Sequence, residues 1–257
     1  MQKTMELIPL FQKFIKDAKS GKRRKADGSK IKIATIDNYT YTIQLLQEFE
    51  VLKKFPLRIR PVNKLDKRQL VVERNYWRRF YKKFTSFLYQ DKSCFDNYVG
   101  HVIKNIKTFF SYLNKEKIVN AGDFYRSFYA TSEEIPVITL APNQLKFLLN
   151  NDGFDKGLTP VLRNTKDIFV VGCTVALRFS DLMRIRPIDI EEVNQAHYLI
   201  TTSVKTGIHT KVRLPEYVVT VLQRMMITRK LQSADPIFPF GLKDALFCFQ
   251  KKAHRPG

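Results

Sequence analysis

The chain has 257 residues and carries 45 Lys and Arg against 24 Asp and Glu, a formal net charge of +21. A charge that large repels itself unless a polyanion is the partner, so a nucleic acid is the first candidate ligand. Hydrophobic residues at 44% and aromatics at 12% are ample for packed cores and exclude a chain that is disordered over most of its length.

The first half reads as four helices joined by basic loops. Met5, Ile8, Phe11, Ile15 and Ala18 recur at helical spacing, and the glycines and charges of SGKRRKADGSK that follow suit an exposed loop within reach of phosphate. Thr35 is placed as the cap of a second helix whose Tyr39, Ile43, Leu46 and Phe49 share a face, and the region of Pro56 and Pro61 ends that pattern. A third helix runs from about Leu70 through Trp77, Phe80, Phe84, Phe87 and Leu88. A fourth turns Tyr98, Val102, Ile106, Phe109 and Leu113 inward, which leaves His101, Lys104 and Lys107 on its opposite side. Arg78, Arg79, Lys82 and Lys83 form a second basic cluster on the preceding helix. A basic helix side is often only a solvated surface, yet residues 1–130 hold 28 basic and 12 acidic side chains while 131–257 hold 17 and 12. That imbalance favours phosphate contact by members of both sets, and the interleaved aromatics have the spacing of core residues rather than of base-stacking platforms.

Composition changes near residue 130, where Glu133, Glu134 and two prolines read as an extended linker and a domain boundary, before a new helix that begins at residues 142–144. The second half is expected to run as a helix over 143–149, a helix over 161–177, a sharp turn with a helix over 178–186, strands over 197–203 and 210–214, a helix over 215–231 and a last helix from about Leu242. A mainly helical domain with a small antiparallel sheet follows. Cys94, Cys173 and Cys248 are odd in number and far apart, so neither a disulfide framework nor a metal site is indicated. No apolar run reaches bilayer-spanning length and the N-terminus lacks the core of a secretion signal, so a cytoplasmic protein with no membrane partner is expected.

Two residues stand out chemically. Arg178 follows the apolar run 168–177, where its charge needs an anionic partner. Asp181, one helical turn on, is one candidate; a phosphate, to whose two non-bridging oxygens a planar guanidinium donates in parallel, is the other. Lys205 lies in KTGIH between two strand-like runs, with Gly207 to supply the turn. A hairpin-tip lysine is ordinarily just solvated.

Together, ALRFSDL and VKTGIHTKVRLP resemble the first two catalytic boxes of the tyrosine recombinase, or phage integrase, family. By that resemblance Arg178 binds the scissile phosphate, Asp181 is its acidic neighbour, and Lys205 is the general acid toward the leaving 5′ oxygen. The N-terminal segments TIDNYTYTIQLLQEFE, NYWRRFYKKFTSFLYQ and YVGHVIKNIKTFFSYLNKE are similar to the core-binding domain of integrases of phages and conjugative transposons. EEIPVITLAPNQLKFLL and DPIFPF are similar to parts of the catalytic domain. The resemblance implies a helical, SAM-like core-binding domain over 1–130 and a partial α+β catalytic domain over 131–257. It further implies double-stranded DNA as partner, self-association on DNA, and strand exchange through a 3′-phosphotyrosine intermediate without metal or cofactor.

The family also has a His-x-x-Arg box, a further His or Trp and a tyrosine nucleophile after the hairpin. Only His209 and His254 follow Lys205 here, His254 is followed directly by Arg255, and Tyr217 is the single tyrosine, at the start of the helix YVVTVLQRMM. A chain truncated before those boxes is therefore expected, with apolar residues such as Leu246, Phe247 and Phe249 short of cover. A non-catalytic DNA-binding protein that occupies recombination sites shares these features, and an RNA-binding basic protein is the more distant alternative.

Overall fold

The computed structural model describes residues 4–136 and 139–238. The chain divides into two compact units, Met1–Pro136 and Val137–Gly257, each with its own hydrophobic core.

The first unit is built on four helices, α1 (Leu7–Lys19), α2 (Ile33–Leu52), α3 (Lys67–Ser86) and α4 (Asp96–Lys115), with a two-stranded antiparallel ribbon of β1 (Met5–Glu6) and β2 (Arg58–Ile59). Apolar residues at helical spacing draw these helices together. Phe11 and Phe14 of α1, Phe49 of α2, Trp77, Phe80 and Phe84 of α3, and Phe109 and Phe110 of α4 are all buried in one aromatic core. Each buried ring contributes roughly 1.5–3 kcal/mol. Helix α3 opens with a reciprocal cap: Asp66 Oδ1 accepts from Gln69 N at 2.8 Å and Gln69 Oε1 accepts from Asp66 N at 3.2 Å. At its other end a single wider turn, Phe87–Asp91, keeps Phe87 and Leu88 in the core.

Several sequence expectations shift here. Helix α2 begins at Ile33 with Lys32 at the cap, so Thr35 lies inside the first turn, its N–H donated to Lys32 O at 2.9 Å. Met5 belongs to β1, and Leu7 and Phe14 join the buried face of α1. Tyr98 is exposed, and its neighbour Val99 takes the inward position one residue on.

The second unit holds α5 (Pro142–Asn150), α6 (Asp152–Lys156), α7 (Pro160–Val175), α8 (Phe179–Leu182) and α9 (Glu216–Arg229), with a three-stranded antiparallel sheet in the order β3 (Ile190–Val193), β4 (Ala196–Thr202), β5 (His209–Leu214). Strand β3 had no counterpart in the sequence reading because IEEV alternates poorly and pairs only as Ile190↔Leu199 through Val193↔Ala196. Helix α7 stops at Val175 rather than 177, and α8 is one turn rather than a helix to 186. The expected helix from Leu242, its apolar residues, Cys248 and His254 lie outside the described residues. The core joins Ile168, Val171 and Val175 of α7 to Val218, Leu222 and Met225 of α9 and to Leu199 of the sheet. Arg224 of α9 also donates to the buried carboxylate of Asp167 on α7 at 2.5 Å.

A buried polar cluster ties β2 to α3. The Glu73 carboxylate, fully buried, accepts from Arg58 Nη1 at 2.8 and 3.1 Å. Tyr76 Oη donates to Pro56 O at 2.7 Å and accepts from Arg58 N at 3.1 Å. Burial pushes the Tyr76 phenol from 10.0 up to about 12. The folded state therefore holds this proton more tightly than the unfolded chain. Its contribution is whole below the unfolded value, and is lost as pH rises through the folded one. Between pH ~10 and ~12 stability should fall by about 2–3 kcal/mol from this group. Denaturant unfolding across that range checks it, and Tyr76→Phe should remove that part of the alkaline slope.

Candidate phosphate site and basic helix faces

The path from α7 into the sheet sets the geometry around Arg178. Helix α7 ends where Ala176 adopts the left-handed conformation, φ 52°, which turns the chain sharply before Arg178 takes the cap position of α8. The two helices meet closely at Gly172, where a Cβ would stand 3.0 Å from Leu182 Cδ2. At the far end of β4 the chain reverses through residues 203–208, with Ser203 N donated to Ile208 O at 2.9 Å, Gly207 N to Ser203 O at 2.7 Å, and Gly207 at φ +73°.

These two segments are bonded to each other. Arg178 Nη1 donates to Ser203 Oγ at 3.0 Å. Asp181 Oδ1 accepts from the backbone N–H of Val204 at 3.1 Å, while its other oxygen lies 4.0 Å from Arg178 Nη1. Asp181 is thus only a loose ion-pair partner for Arg178, and its closer bond holds the hairpin. The guanidinium remains 53% exposed with one donated hydrogen bond, whereas the Asp181 side chain is 2% exposed. A planar group with five N–H donors keeps capacity for an incoming anion in that state. Lys205 is exposed and directly follows Val204, so the same bond that fixes Val204 fixes the root of the lysine. Asp181 and Val204 also line a cleft of about 390 Å³, together with Arg184, Arg186, Thr201, Thr202 and Pro236. His209 Nδ1 lies 2.8 Å from Thr202 Oγ1 on the paired strand.

Tyr217 sits at the start of α9, half-buried, with its hydroxyl 3.0 Å from Thr174 Oγ1 of α7. Cys94 and Cys173 are free thiols, both pushed above the ordinary thiol value by burial. Among the described residues no cluster of three His, Cys, Asp or Glu could hold a metal ion, and no helix is long and apolar enough to cross a membrane.

In the first unit, Arg78, Arg79, Lys82 and Lys83 are all exposed on α3, and none pairs with a carboxylate among the described residues. Lys67, Arg68 and Arg74 extend the same outward side, and the one acidic residue of α3, Glu73, points into the core. The complement of the Tyr76, Trp77, Phe80 and Phe84 spacing would have found these three. On α4, His101 and Lys104 are exposed. Lys107 differs: its ammonium donates to Arg126 O at 3.3 Å and Phe128 O at 3.1 Å. The basic loop after α1 is held by Arg23, whose guanidinium lies 3.9 Å from the Phe14 ring centre and donates to Tyr39 Oη at 3.3 Å.

The sequence matches no protein-family model and no curated protein. Solved structures do match. A lambda integrase tetramer bound to a Holliday junction aligns with a TM-score of 0.61 at 14% identity, covering 98% of this chain and 67% of that one. The Tn1549 transposon integrase in complex with transposon right end DNA aligns at 0.56 and 16% identity, over 88% of this chain and 66% of that one. The XerH site-specific recombinase bound to palindromic difH substrate aligns at 0.52 and 14%, over 90% and 61%. The chain therefore spans about three-fifths of the length of that recombinase. At these identities the likeness shows the fold alone: a mainly α architecture with a small antiparallel sheet, shared with these integrase and recombinase structures.

If the Asp181 bond holds the hairpin, Asp181→Ala should speed amide hydrogen exchange at Val204 and through residues 203–208, and destabilise the second unit by about 1–3 kcal/mol. Asp181→Asn retains an acceptor oxygen and should restore most of the protection.

Proposed function

We propose that the chain is a DNA-binding member of the tyrosine recombinase family, with Arg178, Asp181 and Lys205 as parts of its phosphoryl-transfer site. The observation that carries this reading is the direct tie between the arginine turn and the hairpin, through Arg178 to Ser203 and Asp181 to Val204. It brings a half-exposed guanidinium and an exposed lysine to one place, two charges that phosphoryl transfer needs. Arg178 would donate to the non-bridging oxygens of the phosphate, where charge accumulates as a nucleophile attacks. Lys205 would give its proton to the 5′ oxygen as the P–O bond breaks. No cofactor enters this chemistry.

Duplex DNA is the proposed partner, gripped in the first unit by Arg78, Arg79, Lys82 and Lys83 of α3 and by His101 and Lys104 of α4. The lambda, Tn1549 and XerH structures are each of a protein bound to DNA, and most of the charge of +21 lies in residues 1–130 of this chain. A cytoplasmic setting, assembly of copies on DNA, and a domain boundary in the linker between the units belong to the same reading.

Tyr217 is held at the α7–α9 contact by Thr174, and its neighbours Val218 and Leu222 are core residues, so it is not placed as a mobile nucleophile. That same observation favours the second reading, occupancy of recombination sites without catalysis.

Log affinity for duplex DNA should fall steeply with log salt, and Lys104→Ala should reduce the slope by roughly 0.9 if it removes one phosphate contact. A salt-insensitive interaction overturns the DNA assignment. Incubated with a nicked suicide substrate, the 257-residue chain should give no covalent protein–DNA adduct in a denaturing gel. An adduct abolished by Tyr217→Phe would make Tyr217 the nucleophile and reject the second reading.

A further inference from the structure

The segment that leaves the first unit toward the second does not depart freely from its last helical turn. It runs back along α4, antiparallel to it, and is bonded at successive levels. Lys107 holds the carbonyls of Arg126 and Phe128, at 3.3 and 3.1 Å. Two turns nearer the start of α4, Gly100 faces Thr131 so closely that a Cβ there would lie 1.9 Å from Thr131 O and 2.9 Å from its carbonyl carbon. Still nearer the start, Asn97 closes a reciprocal pair with Glu133, its Nδ2 donating to Glu133 O at 3.1 Å and its Oδ1 accepting from Glu133 N at 2.9 Å. Thr131 Oγ1 donates to Asp96 O at 2.7 Å between them.

Three of these contacts take backbone polar groups of the segment, and each of the three is met by a residue suited to that one task. A side-chain amide can satisfy one N–H and one C=O together. An ammonium carries enough donors for two carbonyls. Only glycine leaves room for a carbonyl to approach the helix at this distance, where backbone rather than a flexible side chain would have to give. Nothing in the fold of α4 itself requires glycine at residue 100, which lies in mid-helix, where glycine costs about 1 kcal/mol relative to alanine.

We infer that residues 126–133 are a strap seated on α4, and that Asn97, Gly100 and Lys107 are positioning residues that set where the connection to the second unit departs. With the strap seated, eight residues, 134–141, separate Glu133 from α5; with it lifted back to the buried Phe128, thirteen do, 129–141. Five added residues lengthen the tether by up to ~17 Å at ~3.3–3.6 Å per residue. The strap thus shortens the tether between the proposed DNA-gripping and phosphate-binding parts of the chain, and it assigns Lys107 to carbonyls rather than to DNA.

Trypsin reads the strap directly, because Arg126 is the one Lys or Arg between Lys117 and Lys146. In the intact chain without DNA, Gly100→Ala and Lys107→Met should each speed cleavage after Arg126 by about tenfold or more, the effect of losing one or two hydrogen bonds of the seat. Lys107→Arg, which keeps donors for both carbonyls, should return cleavage to the parent rate, a rescue that a general loosening of the fold would not give. If Gly100→Ala does not fold, Asn97→Ala tests the same seat. Unchanged cleavage in these variants overturns the strap. In DNA titrations Lys107→Met should leave the salt slope as it was. A fall of roughly 0.9 would make Lys107 a phosphate contact and overturn its positioning role. The cleavage arm contains no DNA, so it stands or falls separately from the DNA-binding reading.

Discussion

One hydrogen bond organises the second unit: the Val204 amide donated to the buried carboxylate of Asp181. A carboxylate removed from water needs compensation, and here a backbone N–H at the root of a hairpin supplies it. Because Asp181 sits one turn after Arg178, the same contact fixes the position of the arginine relative to the lysine two residues past Ser203. The core beneath, from Ile168 of α7 to Leu199 of β4 and Leu222 of α9, holds the two segments from below. The site is therefore held by packing on one side and by polar pairing on the other, with the Arg178 side chain about half exposed.

The first unit solves a different problem. Its surface is dense in positive charge, yet its core is almost wholly aromatic and aliphatic, so charge repulsion acts outward from a well-packed centre. The buried polar side chains find partners: Glu73 with Arg58, Asn105, whose Nδ2 donates to Thr42 Oγ1 at 3.0 Å, and Asp17, whose carboxylate accepts from Tyr112 Oη at 2.6 Å. Desolvation and that bond both push the Tyr112 phenol up, so the unit carries more than one tyrosine whose ionisation opposes folding. Among the described residues the cations on the outer side of α3 pair with no carboxylate, and Lys83 alone of Arg78, Arg79, Lys82 and Lys83 lies over a core ring, that of Phe55 at 5.9 Å.

Much of this architecture was readable in the residues. The 3.6-residue spacing of large apolar side chains placed all four helices of the first unit, because in a unit with a single core each helix buries only one face. The Arg178 and Lys205 motifs were readable as a pair. What the sequence hid was long-range. Asp181 does lie within ion-pair distance of Arg178, at 4.0 Å, but its closer bond is to the Val204 amide, twenty-three residues away, which nothing local announces. Lys107 read as an outward cation because its i−3 and i−6 neighbours, Lys104 and His101, are exposed, and nothing local announces two carbonyls from residues 126 and 128. Strand β3 escaped because it is bounded by pairing with β4 rather than by its own composition.

The turn at Ala176 carries one more consequence. An alanine in the left-handed region costs on the order of 1–2 kcal/mol relative to its helical conformation, and the apolar run through Leu177 has helical spacing to its end. Local preference and tertiary structure are thus in conflict at this position, a point of frustration. Were the preference to win, α7 would wind on by a further half turn or so and swing Arg178 around the helix axis, out of register with Ser203. The bonds to Ser203 and Val204 thus do more than orient a side chain: they favour the turned backbone at Ala176 over a continued helix.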